Sequence, residues 1–138
     1  MLTEVSVGHP ALVLQNLGLS WLPRWHISVV TDYDLQKNKI WLRSGKQLNY
    51  DVDLQLFAKT WQRADSWAIV IVDPHQLPQT AQETHILQSA SELELTGETG
   101  AALEAYKTIL KPWPTNSLAY FGAGNTSYVS AEPNTPFR

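Results

Sequence analysis

Residues 23–46, PRWHISVVTDYDLQKNKIWLRSGK, decide how the first half of this chain is read. Trp25–Tyr33 (WHISVVTDY) and Lys39–Arg43 (KIWLR) are rich in the β-branched and aromatic side chains that suit a pleated, half-buried surface. Leu35–Asn38 (LQKN) between them is polar, so the stretch predicts an antiparallel hairpin. Working outward, Ala11–Leu17 (ALVLQNL) and Trp67–Val72 (WAIVIV) read as two further strands. Leu54, Phe57, Ala58 and Trp61 fall at helical spacing and predict a helix over Val52–Arg63. Met1–Glu4 reads as the end of a helix ahead of the first strand. The expected fold class is therefore α+β, an antiparallel sheet with one helix packed on a face. Trp61, on the apolar side of that helix, and Trp67, at the head of the most hydrophobic strand, are expected to be buried.

The pattern changes near residue 78. Pro74 and Pro78 bracket a linker, DPHQLP, which neither a helix nor a sheet would hold inside. Beyond it the period is helical, giving two expected domains, 1–78 and 79–138. Thr80 followed by Glu83 fits a capping box, and Gly97 a helix C-cap. A second helix is expected from Thr99 to Leu110 and a third over Ser117–Val129, with a frayed tail, AEPNTPFR. Glu83, Ile86, Ala90, Ala102, Tyr106, Ile109 and Pro114 fall in register with the tetratricopeptide repeat, a helix–turn–helix unit of about 34 residues, which this segment resembles. A second repeat would open at Ser117, with Tyr120 and Gly124 at the positions of Ile86 and Ala90. Only part of that second unit fits in the chain, and a solenoid needs about three repeats to stand alone.

Composition narrows the function. Of 138 residues, 43% are hydrophobic and 17% charged, values of a folded rather than a disordered protein. The formal net charge is -3 and no two Lys or Arg residues are adjacent, which argues against a nucleic-acid partner. No apolar run approaches the roughly 20 residues that a membrane-spanning helix requires. MLTEVSVGHP has neither a basic leader nor an apolar signal core, so the sequence as it stands reads as cytoplasmic. Without a cysteine there is no disulfide, thiolate nucleophile or Cys-ligated zinc. His9 is isolated, and His75 and His85 stand ten residues apart, so no metal site and no cofactor are expected. Asp32 and Asp34 read as solvated acids by a turn. Gly122-Ala123-Gly124-Asn125 fails the phosphate-loop pattern and reads as a site of close helix–helix contact.

Residues 8–45, GHPALVLQNLGLSWLPRWHISVVTDYDLQKNKIWLRSG, together with the Phe57/Trp61 helix and WAIVIV, resemble the C-terminal half of the papain-like bacteriocin-processing peptidases. They are more similar still to a bacterial group in which such a domain precedes tetratricopeptide repeats. The resemblance implies an antiparallel half-barrel with His26 on the rim of a cleft. In that family a cysteine thiolate attacks, a histidine takes its proton, and an acidic or amide side chain orients the imidazole. Only the histidine carries over, to His26. The family's Asp-Pro pair is replaced by Arg43-Ser44-Gly45, making Ser44 a degenerate orienting position, and Gln15 does not match the oxyanion-hole glutamine. The expectation is a non-catalytic peptide- or protein-interaction module, with binding residues Trp21, Trp25, His26, Tyr106, Tyr120 and Asn125. Trp21 and Trp25 should flank His26, which should have no cysteine, serine or metal partner. The alternative is the C-terminal part of a cysteine peptidase whose nucleophile lies upstream; an exported parent of that kind would put the chain in the cell envelope. Leu12, Leu14, Val29, Ile40, Trp41, Ile69 and Ile71 offer more apolar surface than one helix covers, which predicts a homodimer.

Overall fold

The computed structural model describes residues 1–131, and the expected frayed tail beyond Ala131 lies outside them. The chain forms two compact units, Met1–Val72 and one that begins at Asp73. In the first, α1 (Leu2–Ser6) precedes strands β1 (Ala11–Asn16), β2 (Trp25–Asp34), β3 (Lys39–Ser44) and β4 (Gln47–Asp53). Helix α2 (Leu54–Gln62) and a short strand β5 (Ala68–Val70) complete it. The sheet is antiparallel, in the order β4-β3-β2-β1-β5.

Strand β4 was not expected. Leu48, Tyr50 and Val52 alternate with polar residues, and Gly45, at φ 55°, supplies the left-handed residue that lets the chain reverse after β3. Val52 therefore lies near the end of a strand that stops at Asp53, instead of opening a helix. Asp53 marks the switch: its carboxylate accepts the Leu56 N–H at 2.9 Å and caps α2. The last strand is also shorter than expected. Asp65 and Ser66 both adopt positive φ, so Trp67 sits in the turn and is 42% exposed, contrary to its expected burial. Trp61 is partly buried and stacks on Phe57, with ring centroids 6.0 Å apart.

Period-two alternation divides the sheet into two faces. Ala11, Val13, Val30, Ile40 and Leu42 point to the side covered by α1 and α2, where they form the core with Val5 and Phe57. Leu12, Leu14, Val29 and Trp41 lie on the other face with the exposed Trp25, Ile27 and Ile69. Ile40, one of the apolar residues expected to exceed what a single helix covers, is 0% exposed, and its neighbours in register, Tyr33 and Val52, lie on the helix side.

Residues 71–82 carry neither helix nor strand. The second unit then packs α3 (Glu83–Leu95), α4 (Thr99–Ile109) and α5 (Ser117–Ala131) around Ala90, Ala102, Tyr106, Ile109 and Ala119. Helix α3 ends in a Schellman motif. Gly97, at φ 86°, donates to the Glu94 carbonyl, and the Glu98 N–H reaches Leu93 at 2.9 Å. At its start the cap residue is Gln82, without a side-chain cap bond, so Thr80 stands ahead of the helix and the capping box does not form. Glu83 is engaged elsewhere: Asn116 donates its amide to the Glu83 carboxylate at 2.7 Å while its own oxygen accepts the Ala119 N–H. One side chain thus caps α5 and ties it to the start of α3.

Helix α5 is rotated from the repeat register. Ala119, Gly122 and Thr126 face inward, whereas Tyr120 is exposed and Gly124 meets nothing. Of the two glycines, only Gly122 serves close contact; a Cβ there would lie 2.3 Å from Cζ of Tyr106.

Candidate functional site

His26 occupies the second position of β2, opposite Gln15 of β1, and both side chains line one cavity of about 310 Å³. Leu42, Tyr50, Leu56 and Phe57 supply much of its apolar wall. Beneath the cavity runs a buried polar chain. Gln15 donates from Nε2 to Thr60 Oγ1 at 2.7 Å and accepts Ser28 Oγ–H at its Oε1 at 3.1 Å, and the Thr60 hydroxyl donates to the Phe57 carbonyl. Both ends of the Gln15 amide are occupied, so its role is to fasten α2 to β1 and β2.

The expectation that His26 would lack a serine partner is overturned. Ser44 Oγ lies 2.6 Å from His26 Nε2 and 3.3 Å from the Ile27 carbonyl. With its one hydrogen directed at that carbonyl, the hydroxyl accepts Nε2–H; turned the other way, it donates to the ring. Register shifts at Val30/Asp32 and at Leu42/Ser44 bring the end of β3 to this position. A hydroxyl beside an imidazole is two parts of a nucleophilic constellation, which also needs an orienting group and oxyanion donors. Among the described residues, no carboxylate or amide hydrogen-bonds to the His26 ring.

The two tryptophans do not flank His26. Trp25 is its chain neighbour and so points to the opposite face of the sheet. Trp21 stands at the tip of the 17–24 loop, 77% exposed. That loop is held by Asn16, whose Oδ1 accepts the Gly18 and Arg24 N–H groups, both at 2.9 Å. His9, which the sequence left isolated, is 2.9 Å from the wholly buried carboxylate of Glu4. His75 lies 3.4 Å from Glu104, and among the described residues no cluster of three ligands could hold a metal ion. No helix of the described residues is long and apolar enough to cross a membrane.

The second unit carries a groove of about 400 Å³ lined by Leu87, Ser91 and Glu94 of α3, Tyr106 of α4, and Leu118 and Phe121 of α5. Leu118 and Phe121 are 63% and 76% exposed, so the α5 wall is apolar and open. Its floor is polar. Tyr106 donates its hydroxyl to Glu94 Oε2 at 2.9 Å, and the Asn125 amide donates to Glu94 Oε1. Burial first, then the bond to Glu94 and its charge, push the Tyr106 phenol up to about 12, so it remains a neutral donor. Tyr106 and Asn125 are thus joined through Glu94, although Asn125, like Tyr120, lies outside the lining. Glu94, Leu118 and Phe121 were missed; the signal available was the charge-free, apolar opening of α5, SLAYF. No protein-family model, no curated protein and no solved structure matches this chain.

Proposed function

We propose that this chain is a non-catalytic peptide- or protein-interaction module, a peptidase-like sheet domain followed by a short tetratricopeptide-like helical segment. The observation that carries the reading is the groove between α3 and α5, with Leu118 and Phe121 open to solvent beside the hydrogen-bonded Tyr106–Glu94 pair. Exposed apolar walls over a few fixed polar groups suit a peptide, whose side chains are buried while its polar atoms find partners. The repeat resemblance is supported by the starts of α3 and α5, Glu83 and Ser117, which stand one 34-residue repeat apart. The lack of a cysteine in the sequence supports the non-catalytic half of the reading. Selection of a phage-displayed random peptide library on the immobilised protein tests it. Selected peptides should lose about tenfold or more in affinity against Phe121→Ser, as expected for an exposed aromatic anchor. Peptides indifferent to Phe121 and Leu118, or none selected, would overturn it.

The His26–Ser44 contact favours a second reading, the C-terminal part of a cysteine peptidase in which Ser44 orients the imidazole. Genomic sequence upstream of Met1 decides it: an in-frame segment with glutamine and cysteine at papain-like spacing supports this alternative, and its absence removes it.

A further inference from the structure

Among the described residues, Glu94 is the one charged residue lining the α3–α5 groove. It belongs to the last turn of α3, where an anion opposes the helix dipole and where no basic side chain compensates. Helix α5 has no charged residue between Ser117 and Ala131, and α3 carries three carboxylates, Glu83, Glu92 and Glu94, with no Lys or Arg. The ion pairs among the described residues involve Glu4, Asp34, Asp51 and Glu104, not Glu94. Two neutral donors, the Tyr106 hydroxyl and the Asn125 amide, fix both carboxylate oxygens without cancelling the charge. A carboxylate has about four acceptor sites, so this arrangement leaves lone pairs free on a positioned anion. Beside it stand the exposed ring of Phe121 and the side chain of Leu118.

We propose that the groove recognises a polypeptide segment in which a lysine or arginine lies close to an apolar side chain, the cation docking on Glu94 and the apolar group on Leu118 and Phe121. The charge complementarity is specific to one sign. An acidic segment would meet Glu94 with no cation among the described lining residues to receive it, whereas a lysine or arginine can take a charge-assisted bond to the carboxylate and an aromatic face in Phe121. The inference rests on the groove being the peptide site.

Three fluorescein-labelled nonapeptide mixtures test it by anisotropy on the full chain. Each is random except for a fixed Leu and, two residues on, a fixed Lys, Gln or Glu. The Lys mixture should bind on the order of tenfold more tightly than the Gln mixture, in line with a hydrogen bond to a charged group. The Glu mixture should bind most weakly, and added salt should narrow the difference. Glu94→Gln keeps an acceptor oxygen and relieves the helix terminus, so it should fold, and it should abolish the preference for the Lys mixture over the Gln mixture. Equal binding of all three mixtures, with each weakened by Phe121→Ser, would overturn the charge preference and leave the groove as a peptide site. No binding by any mixture would overturn both readings. Tyr106→Phe is the second variant: release of the carboxylate should shrink the preference for Lys, and an unchanged preference would count against a positioned anion.

Discussion

The ring of Tyr106 lies against the backbone of Gly122 so closely that a β-carbon on the glycine would fall 2.3 Å from Cζ and 2.6 Å from both Cε atoms. Tyr106 is buried, and its hydroxyl is held by Glu94, so the ring has little freedom to withdraw. Gly122→Ala should destabilise the protein by about 1–3 kcal/mol, the usual cost of overpacking. Gly124, two residues on, meets nothing within 4 Å. Gly124→Ala should add about 0.5–1 kcal/mol by removing glycine's helix penalty. Urea titrations of the two variants should move in opposite directions; a shift of the same sign would mean that α5 is seated differently.

Tyr106 also predicts a response to alkali. Its folded pKa, about 12, is raised above the ordinary value of 10.0. Stability from this group is fully present below the unfolded value and is lost as pH climbs through the folded one. Between pH 10 and 12 the wild type should lose about 2–3 kcal/mol that Tyr106→Phe does not lose, from two pKa units of linkage. Thermal melts across that window, with tyrosinate absorbance as the titration marker, supply the check. Parallel pH profiles for the two proteins would contradict the assignment.

In the sheet unit, the buried amide and the half-open imidazole should behave differently. Gln15→Ala deprives Thr60 and Ser28 of their partner within the core, and should cost about 1–3 kcal/mol per group left unsatisfied. His26→Ala removes one bond at the cavity rim and should cost about 1 kcal/mol. Equilibrium denaturation compares them. If His26→Ala proves the more damaging, His26 is a structural residue rather than part of a solvent-facing rim.

Self-association is the fourth expectation. The face of the sheet away from α2 presents Trp25, Ile27 and Ile69 around the partly covered Leu12, Leu14, Val29 and Trp41. Exposed apolar patches of this kind commonly mark an interface, and two-fold pairing is its commonest form. Sedimentation equilibrium at micromolar concentration should return a dimer for the wild type and a monomer for Ile27→Asp. A monomeric wild type removes the dimer from the proposal.

Much of the sheet was legible in its residues. WHISVVTDY, KIWLR and ALVLQNL announce strands because β-branched and other apolar side chains crowd short runs, and LQKN offers a single apolar side chain, the exposed Leu35. Strand β4 was harder to see, since QLNYDVD carries only three apolar residues and Val52 abuts the helical pattern that starts at Leu54. The meeting of His26 with Ser44 was hidden for another reason. It depends on register shifts between β2, β3 and β4, and a shift of one residue decides which side chains share a face. The groove in the second unit depends on the rotation of α5. Counting 34 residues from Ile86 points to Tyr120, yet the ring of Tyr106 demands the small Gly122 opposite it. The helix turns accordingly, leaving Tyr120 outside and bringing Leu118 and Phe121 to the wall.

The two ends of the strand order bear on how the sheet can grow. At one edge, β4 alternates Gln47, Asn49, Asp51 and Asp53 with Leu48, Tyr50 and Val52, and Asp51 is bound to Lys39 of the neighbouring strand at 2.5 Å. At the other edge, β5 offers only Ala68–Val70 before the chain turns away. Charge on one border and brevity on the other are common defences against edge-to-edge addition of strands. Lateral extension into a fibril is thereby discouraged, although Trp25, Ile27 and Ile69 lie open on the broad surface. Crowding of this protein should accordingly favour closed, face-to-face pairs over open-ended ribbons.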